Sequence, residues 1–362
     1  MENVKAFLKR KNIVFSAKRY GIDALGAMAQ GLFCSLLIGT IIKTLGLQLG
    51  AQYLTDIGAY AMSVSGPAMA VAIGYALQAP PLVLFSLATV GYAANALGSV
   101  TLAGGKGAGG PLAVLFIAII AAECGKAVSK ETKIDILVTP LVTILVGVLL
   151  SSWWAPAIGT AASSVGSLVR WATEQQPFFM GIVVSVVIGV ALTLPISSAA
   201  ICAALTLTGL AGGAAVAGCC ANMVGFAVLS FRENRWGGLI SQGLGTSMLQ
   251  MGNIVKNPRI WLPAILTSAI TGPIATCLFH FEMNDPASGV ASGMGTCGMV
   301  GPIGVYSGWV ADVASGAKAA ITGMDWLAMA LICFILPAVL CWAFGLFFRR
   351  IGWIKPGDLT LD

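Results

Sequence analysis

Charged residues are scarce in this sequence. Only 9% of its 362 residues are Asp, Glu, Lys or Arg, whereas about a quarter of an average soluble protein is charged. So few charges cannot cover a water-facing surface, and the 57% hydrophobic content therefore excludes a soluble enzyme. The composition predicts an all-α, polytopic helical membrane protein.

Residue patterns for catalysis, metal binding and nucleotide binding are also missing. His280 is the single His, and the nine Cys form no C-x-x-C pair, so we expect no metal site and no disulfide framework. The stretch GGKGAGG at 104–110 lacks the G-x-x-x-x-G-K-[ST] pattern of a phosphate loop. We predict a protein that is not an enzyme and has no cofactor. Most Cys are expected to be small buried hydrophobic residues, although the adjacent Cys219 and Cys220 leave a redox role open.

The few charges are unevenly placed, with a formal net charge of +6. Residues 1–19 carry six Lys or Arg against one Glu and directly precede a membrane segment. The positive-inside rule explains this cluster better than nucleic acid binding does. Residues 1–19 are predicted to form a basic amphipathic helix on the cytoplasmic face. Arg349, Arg350 and Lys355 place the C-terminal tail, residues 351–362, in the cytoplasm as well.

Apolar stretches of membrane-spanning length follow one another along the chain. About 30 Å of hydrocarbon requires roughly 20 helical residues. We expect about ten to twelve membrane elements, with re-entrant or broken Gly-rich segments among them, at approximately 22–43, 58–78, 81–98, 111–127, 134–154, 177–196, 199–229, 237–254, 260–281, 287–304, 305–320 and 326–348. The stretch 199–229 is too long and too rich in Gly to be one plain helix.

Short motifs recur in the same order in the two halves of the chain. Gln30-Gly31-Leu32 is echoed by Gln242-Gly243-Leu244, and the Gly-Pro pairs that follow each motif are similarly spaced. This order predicts two transmembrane repeats with linking spans between them, at residues 20–155, 236–350 and 156–235. Inverted repeats of this kind are typical of secondary transporters.

Seven predicted membrane crossings precede the second repeat, so it begins on the opposite side of the membrane from the first repeat. The two repeats are therefore predicted to be inverted. The count places Lys256 and Arg259 in the cytoplasm and Glu282 outside. It leaves Arg232 and Arg235 on the outer face, against the charge rule.

The stretch Asn284–Gly304, NDPASGVASGMGTCGMVGPIG, is the most unusual part of the chain. Each Gly inside a helix costs about 1 kcal/mol relative to Ala, so this composition disfavours a plain helix. Broken backbone is tolerated at membrane depth where it is buried in protein or lines a wet cavity. The stretch therefore predicts a re-entrant or interrupted segment at a solute pathway. Two tightly packed helices that use Gly as a contact surface are the alternative.

Polar residues inside or beside the predicted spans are candidate solute ligands. Glu123 precedes Lys126 by three residues and is either one half of a helix-end ion pair or a functional carboxylate. His280 and Glu282 could bind a polyol or belong to an interfacial loop. Neutral amides suit an uncharged solute or form interhelical hydrogen bonds, and they include Gln30, Gln242, Gln250 and Asn253. The predicted substrate-binding residues are Asn95, Glu123, Asn222, His280, Glu282, Asn284, Gly295 and Thr296.

At Gly293–Gly301 (GMGTCGMVG) and Lys133–Val142 (KIDILVTPLV) the sequence resembles the IIC membrane component of bacterial sugar phosphotransferase systems. The similar branch is the one that includes the perfringolysin regulator. The resemblance covers nearly the whole chain. It implies a dimeric protein of the bacterial inner membrane that carries or senses a sugar-like solute. The sequence departs from the family in having no soluble domain to hold a phosphorylatable Cys or His, and the Glu-Pro sugar signature is missing unless Asp285-Pro286 replaces it.

The sequence therefore predicts a transporter that moves a small polar, sugar-like solute across the lipid bilayer by alternating access. The 284–304 segment and its counterpart near 80–98 would line the site. Phosphorylation-coupled uptake would need separate IIA and IIB phosphocarrier proteins as partners. A non-transporting membrane sensor, a proton- or ion-coupled carrier and a channel are the alternatives.

Overall fold

The computed structural model describes residues 2–102, 107–164, 169, 171–173, 175–205, 207–284 and 289–361. Their regular secondary structure is helical, and isolated β-bridge residues occur at Val100 and in the pair of Gly209 with Met283. Within this part of the chain seven helices are long and apolar enough to cross a membrane, or eight when one bent pair counts as a span. The predicted all-α polytopic class is therefore confirmed. Asp285-Pro286, the candidate replacement for the sugar signature, lies outside the described residues.

The first unit of the structure comprises Met1–Gly39 and Asp56–Ala162. In it the Gln52–Ser63 and Ser65–Ala76 helices meet at a bend of 47°. The helices that lie wholly or mainly in this unit are Glu2–Arg10, Arg19–Leu49, Gln52–Ser63, Ser65–Ala76, Pro81–Gly98, Gly110–Val128 and Asp135–Ser163. Small residues let their backbones approach closely, as is common in membrane helix pairs.

The second unit comprises Thr40–Thr55 and Ser163–Asp362. Its most enclosed span is Gly209–Leu229, called here the buried helix, which is 89% buried within the protein. The unit contains the helices Pro177–Thr193, Ser198–Ala204, Gly209–Leu229, Phe231–Ile240, Met251–Lys256, Pro258–Leu278, Val300–Ser315 and Gly323–Arg350. The prediction that 199–229 is not one plain helix is confirmed, because separate helices end at Ala204 and begin at Gly209. The Gly-rich run at 209–218, on which the prediction rested, lies within the second of these helices and not at the break.

The buried helix is made largely of Gly, Ala and Cys, and this composition permits very close packing. A Cβ added to Gly218 would lie only 1.8 Å from the carbonyl oxygen of Ser185 on the Pro177–Thr193 helix. Any side chain there would push the two helices apart. The Gly-rich middle of this stretch is therefore a contact surface in the second unit.

Residues 231–257 do not form the span that the sequence predicts at 237–254. The Phe231–Ile240 helix, broken at Arg235, runs into a π-helical turn at Ser241–Gly245. Thr246 is then extended, with φ −159° and ψ 144°, and short helices follow as far as Lys256. We call residues 231–257 the return hairpin.

Both ends of the return hairpin lie against the C-terminal tail. Asn234 Nδ2 donates to the carbonyl oxygen of Leu359 at 2.7 Å, and Gln250 Nε2 donates to the same oxygen at 2.9 Å. Asn257 Nδ2 donates to the carbonyl oxygen of Trp353 at 3.0 Å. Because both ends of the return hairpin contact the same tail, residues 231–257 begin and end on the same face of the second unit. The prediction of a membrane crossing at 237–254 is therefore wrong.

The same geometry corrects the face assigned to Arg232 and Arg235. Glu233, between these two residues, pairs with Arg349 at 3.0 Å, so they lie on the face where the last span ends. The count of crossings placed Arg232 and Arg235 on the side opposite to Arg349, because it treated the return hairpin as a span. Their new position agrees with the tendency of basic residues to gather on one side of a membrane. We call this side the Arg349 face.

Residues 289–299, called here the glycine loop, form no continuous helix. Two 3-10 turns, Val290–Gly293 and Cys297–Met299, are separated by Gly295 in a left-handed conformation with φ +53°. The predicted interruption of the Gly-rich stretch is therefore confirmed. The prediction of separate elements at 287–304 and 305–320 is wrong, because Val300–Ser315 is one helix that crosses the expected boundary.

Candidate solute site

The bend of the return hairpin contacts the glycine loop. Thr296 Oγ1 donates a hydrogen bond to the carbonyl oxygen of Gly243, and it also lies 3.7 Å from the sulfur of Met223 on the buried helix. Thr296 is fully buried. Two interrupted segments of the chain therefore meet tip to tip beside the buried helix, and we call this meeting point the tip contact.

The glycine loop reaches the middle of the buried helix. This helix has 21 residues, which corresponds to about 30 Å and matches the hydrocarbon thickness of a bilayer. A Cβ added to Gly295 would lie 2.7 Å from the Cβ of Cys219, which is ten residues from either end of the helix. The sequence requires Gly at position 295 because it combines a left-handed φ with this close approach. The glycine loop therefore reaches the mid-length of the buried helix, and the tip contact lies between that point and the Leu229 end, since a Cβ at Gly243 would face Ala227.

Asn222 is the centre of a buried hydrogen-bond network in the second unit. Its side chain is fully buried, and its Oδ1 accepts from Trp261 Nε1 at 3.0 Å and from Thr193 Oγ1 at 3.3 Å. Its Nδ2 donates to Ser268 Oγ at 3.1 Å. Thr193 Oγ1 in turn shares a hydrogen bond of 2.7 Å with Ser247 Oγ of the return hairpin. Asn222 thus forms the interhelical contacts that were the alternative interpretation of the amide residues.

Gln242 has a different environment from Asn222. It precedes the bend of the return hairpin, and its Nε2 donates to Ser230 Oγ at 2.7 Å and to the carbonyl oxygen of Gly238 at 3.0 Å. Its Oε1 is buried and has no hydrogen-bond partner within the described part of the chain. Buried amide oxygens are normally paired, because an unpaired one costs about 1–3 kcal/mol. An unpaired acceptor for a polar ligand or a water therefore exists on the residue before Gly243, beside Ser230 at the end of the buried helix.

The other amides of the return hairpin bind the chain's own tail. Gln250 Nε2 donates to Leu359, and Asn253 Nδ2 donates to the carbonyl oxygen of Thr360 at 2.8 Å and to Gln250 Oε1 at 2.9 Å. Leu359 is fully buried against them. These amides are satisfied by backbone carbonyls and stabilise the return of the hairpin to the Arg349 face.

The predicted ligands His280, Glu282 and Asn284 lie beyond the other end of the second unit's spans. His280 and Glu282 are exposed, and both precede a strand-like contact in which Met283 pairs with Gly209 at the start of the buried helix. Asn284 Nδ2 donates to Asp312 Oδ2 at 2.9 Å. The structure therefore separates these residues from Gly295 and Thr296 by about half the length of the buried helix.

Glu123, in the first unit, has the ion-pair partner that its spacing predicts. Its Oε2 lies 2.9 Å from Lys126 Nζ, and its Oε1 accepts a hydrogen bond from the Tyr20 hydroxyl at 3.1 Å. Lys126 Nζ also donates to the carbonyl oxygen of Asn12 at 2.7 Å. This group joins the end of the Gly110–Val128 helix to the N-terminal segment.

Asn95, also in the first unit, is half-buried on the Pro81–Gly98 helix. A Cβ added to Gly110 would lie 2.6 Å from Asn95 Oδ1, so the amide faces a close helix contact. The two predicted ligands of this unit thus belong to separate helix contacts.

The burial of most cysteines agrees with the prediction that they act as small hydrophobic residues. Six of the nine are buried and all nine are free thiols. Among the described residues no group of three His, Cys, Asp or Glu side chains could hold a metal ion. Cys219 and Cys297 instead pack around the tip contact, where their small size permits the close approach of the glycine loop.

Sequence reasoning missed the importance of Gly243 and Ser247 because both belong to a stretch that looks like an ordinary span. The signal was the run SQGLGTS at 241–247, in which two Gly and two Ser interrupt the apolar residues. The same kind of composition identified the glycine loop. The Gly-rich composition of residues 241–247 was not used in the same way, because the stretch 237–254 is apolar enough to be predicted as a membrane span.

One of three comparisons with known proteins gave a match. A family model described as phosphotransferase system, EIIC, matches residues 22–361, which include the return hairpin, the buried helix and the glycine loop. No curated protein and no solved structure gave a significant match. The branch within the family stays a prediction. The chain belongs to the EIIC family of the phosphotransferase system and is a membrane permease component of sugar transport.

Proposed function

We propose that a small, neutral, sugar-like solute binds at the tip contact and that separation of the two tips carries it by alternating access. The observation that supports this proposal best is the meeting of two interrupted segments beside the buried helix, with the unpaired buried Oε1 of Gln242 on the residue before Gly243. Interrupted backbone is tolerated at membrane depth where it is buried in protein or lines a cavity. Transporters commonly bind their solutes near the midplane at discontinuous helices.

The polar groups around the tip contact suit an uncharged solute. Gln242 carries an amide and Thr296, Ser247 and Thr193 carry hydroxyls, and all are uncharged. Such groups both donate and accept hydrogen bonds, as the hydroxyls of a sugar do. A site of this kind avoids the large desolvation cost of a buried charge. An acidic or basic solute would find no compensating side chain among these four residues.

We further propose that the Arg349 face is cytoplasmic, because Arg232, Arg349 and Arg350 gather there. The cytoplasmic position of both termini and the homodimer are parts of the same proposal. The repeats at 20–155 and 236–350 then both begin on the cytoplasmic face, so the inversion expected from the count of crossings does not hold in this proposal. Separate IIA and IIB proteins would supply phosphoryl transfer to the solute on this face. The role of the present chain is then to bind and move the solute.

A thermal-shift screen of the purified protein tests the solute class. Neutral sugars and polyols are compared with sugar acids, nucleosides and inorganic anions. A ligand that binds only the folded protein stabilises it by about 2.7 kcal/mol at one hundred times its dissociation constant. We expect the largest shift with a neutral sugar or polyol. Failure of every neutral compound at high concentration would contradict the carrier proposal and favour a sensor.

A matched pair of variants then tests the position of the site. Gln242→Met removes the unpaired acceptor near the tip contact, and Gln250→Met removes an amide that binds the tail. We expect the first variant to lose the sugar-induced shift and the second to keep it. Equal behaviour of the two variants would place the solute elsewhere.

A further inference from the structure

A cleft of about 460 Å³ opens on the Arg349 face of the second unit. Its walls come from the end of the buried helix, the return hairpin and the end of the last span. The apolar residues that line it include Val228, Leu229, Leu239, Trp342 and Leu346. Arg232 and Arg349 also line it, so the cleft combines a hydrophobic interior with cationic groups.

The level of the cleft corresponds to the boundary between hydrocarbon and water. The buried helix ends at Leu229, about 30 Å from its start at Gly209. Trp342 in the cleft and Trp236 beside it are 55% and 68% exposed. Exposed Trp side chains are enriched where acyl chains meet headgroups. The walls of the cleft therefore face acyl chains while its arginines lie at headgroup level.

The two arginines have different electrostatic environments. Arg349 Nη2 is 3.0 Å from Glu233 Oε1 and donates to the carbonyl oxygen of Leu229 at 3.0 Å, so its charge is largely compensated. Arg232 is exposed, and within the described part of the chain it has no carboxylate partner. The cleft therefore carries one uncompensated positive charge next to its apolar walls.

We propose that this cleft binds one anionic phospholipid. The phosphate contacts the Arg232 guanidinium, and one acyl chain lies along Leu239, Trp342 and Leu346. A basic pocket between membrane helices is suited to an anionic headgroup. A free phosphate ion would leave the apolar walls in contact with water, and a zwitterionic lipid would leave the charge of Arg232 uncompensated. The charge and the walls together select a lipid with a net negative headgroup.

The test is a titration of the purified protein in a neutral detergent. Phosphatidylglycerol is compared with phosphatidylcholine of the same chain length and with inorganic phosphate, and the apparent unfolding temperature is measured at each concentration. We expect stabilisation by phosphatidylglycerol alone. Arg232→Gln should raise the lipid concentration needed for half the effect about fivefold. Arg350→Gln, which changes an exposed arginine of the same face outside the cleft lining, should leave this concentration unchanged.

A second variant tests the cleft independently of charge. Leu239→Trp fills the apolar part and should abolish the effect of phosphatidylglycerol while the protein stays folded. Equal shifts for Arg232→Gln and Arg350→Gln would indicate general surface attraction and overturn the proposal. Equal stabilisation by phosphatidylcholine or by phosphate would overturn it too. A change of oligomeric mass in Leu239→Trp without a change in lipid binding would show that a second copy of the chain covers the cleft.

Discussion

Thr296→Val tests whether the two tips form a closed contact that can separate. Val has nearly the shape of Thr but cannot donate the hydrogen bond to the carbonyl oxygen of Gly243. That oxygen is left without this donor in the closed state, which costs about 1–3 kcal/mol, whereas water solvates it once the tips separate. The population with separated tips should therefore rise about 5- to 150-fold.

Alkylation of native cysteines measures this population directly. Cys297 adjoins Thr296 and is 1% exposed, so a water-soluble maleimide reaches it only after the tips separate. Cys341 is fully buried elsewhere in the same unit and reports general unfolding. Mass spectrometry of the two peptides gives both rates from one sample. We expect the rate at Cys297 to rise in Thr296→Val and the rate at Cys341 to stay constant.

Thr296→Ser is the matched control, because it keeps the hydroxyl group and loses only a methyl group. Its Cys297 rate should stay close to that of the unmodified protein. An unchanged Cys297 rate in Thr296→Val would refute the reasoning. A parallel rise at Cys341 would also refute it, since the substitution would then loosen the whole unit.

Three further predictions concern stability. Gly295→Ala should lower the unfolding temperature more than Gly316→Ala, because both residues have a positive φ but only the first has a neighbour within 4 Å; equal losses in a thermal unfolding experiment would contradict this. Asn222→Leu removes the hydrogen bonds from the half-buried Trp261 and from Thr193, each worth about 0.5–1.5 kcal/mol, and should lower the unfolding temperature; an unchanged temperature would show that the network is unimportant. The hydrogen bond from Lys11 lowers the pKa of Glu131, so this contact stabilises the neutral-pH state and is lost as the pH falls through the lowered pKa. A spin label on the Glu2–Arg10 helix should become mobile on such acidification, and at neutral pH in Glu131→Gln; constant mobility would contradict the prediction.

The membrane class and the interrupted glycine loop could be predicted because each depends on local composition. A chain with 9% charge has no alternative to burial in lipid, and Gly295 combines a left-handed φ with a close helix contact that no other residue tolerates. The ion pair between Glu123 and Lys126 also follows from a spacing of three residues. These features were accessible because the residues responsible lie close together in sequence.

The return hairpin could not be predicted in the same way. An apolar stretch of about 18 residues can cross the membrane, or it can enter the membrane and return to the same face. What decides the outcome is contact with residues more than 100 positions away, such as the hydrogen bond from Gln250 to Leu359. The pairing of each amide depends on such contacts too, so the sequence did not distinguish the satisfied Asn222 from the unpaired oxygen of Gln242.

A reversible cross-link between the tips tests the central claim most directly. Gly243→Cys and Thr296→Cys are combined in a protein whose exposed Cys34 and Cys277 are replaced by Ala. A Cβ at position 243 has room, since its nearest neighbour is 3.6 Å away. Counterflow of the sugar identified by the thermal-shift screen is then measured in proteoliposomes. Oxidation should stop counterflow and reduction should restore it, whereas unchanged counterflow in fully cross-linked protein would contradict a pathway between the tips.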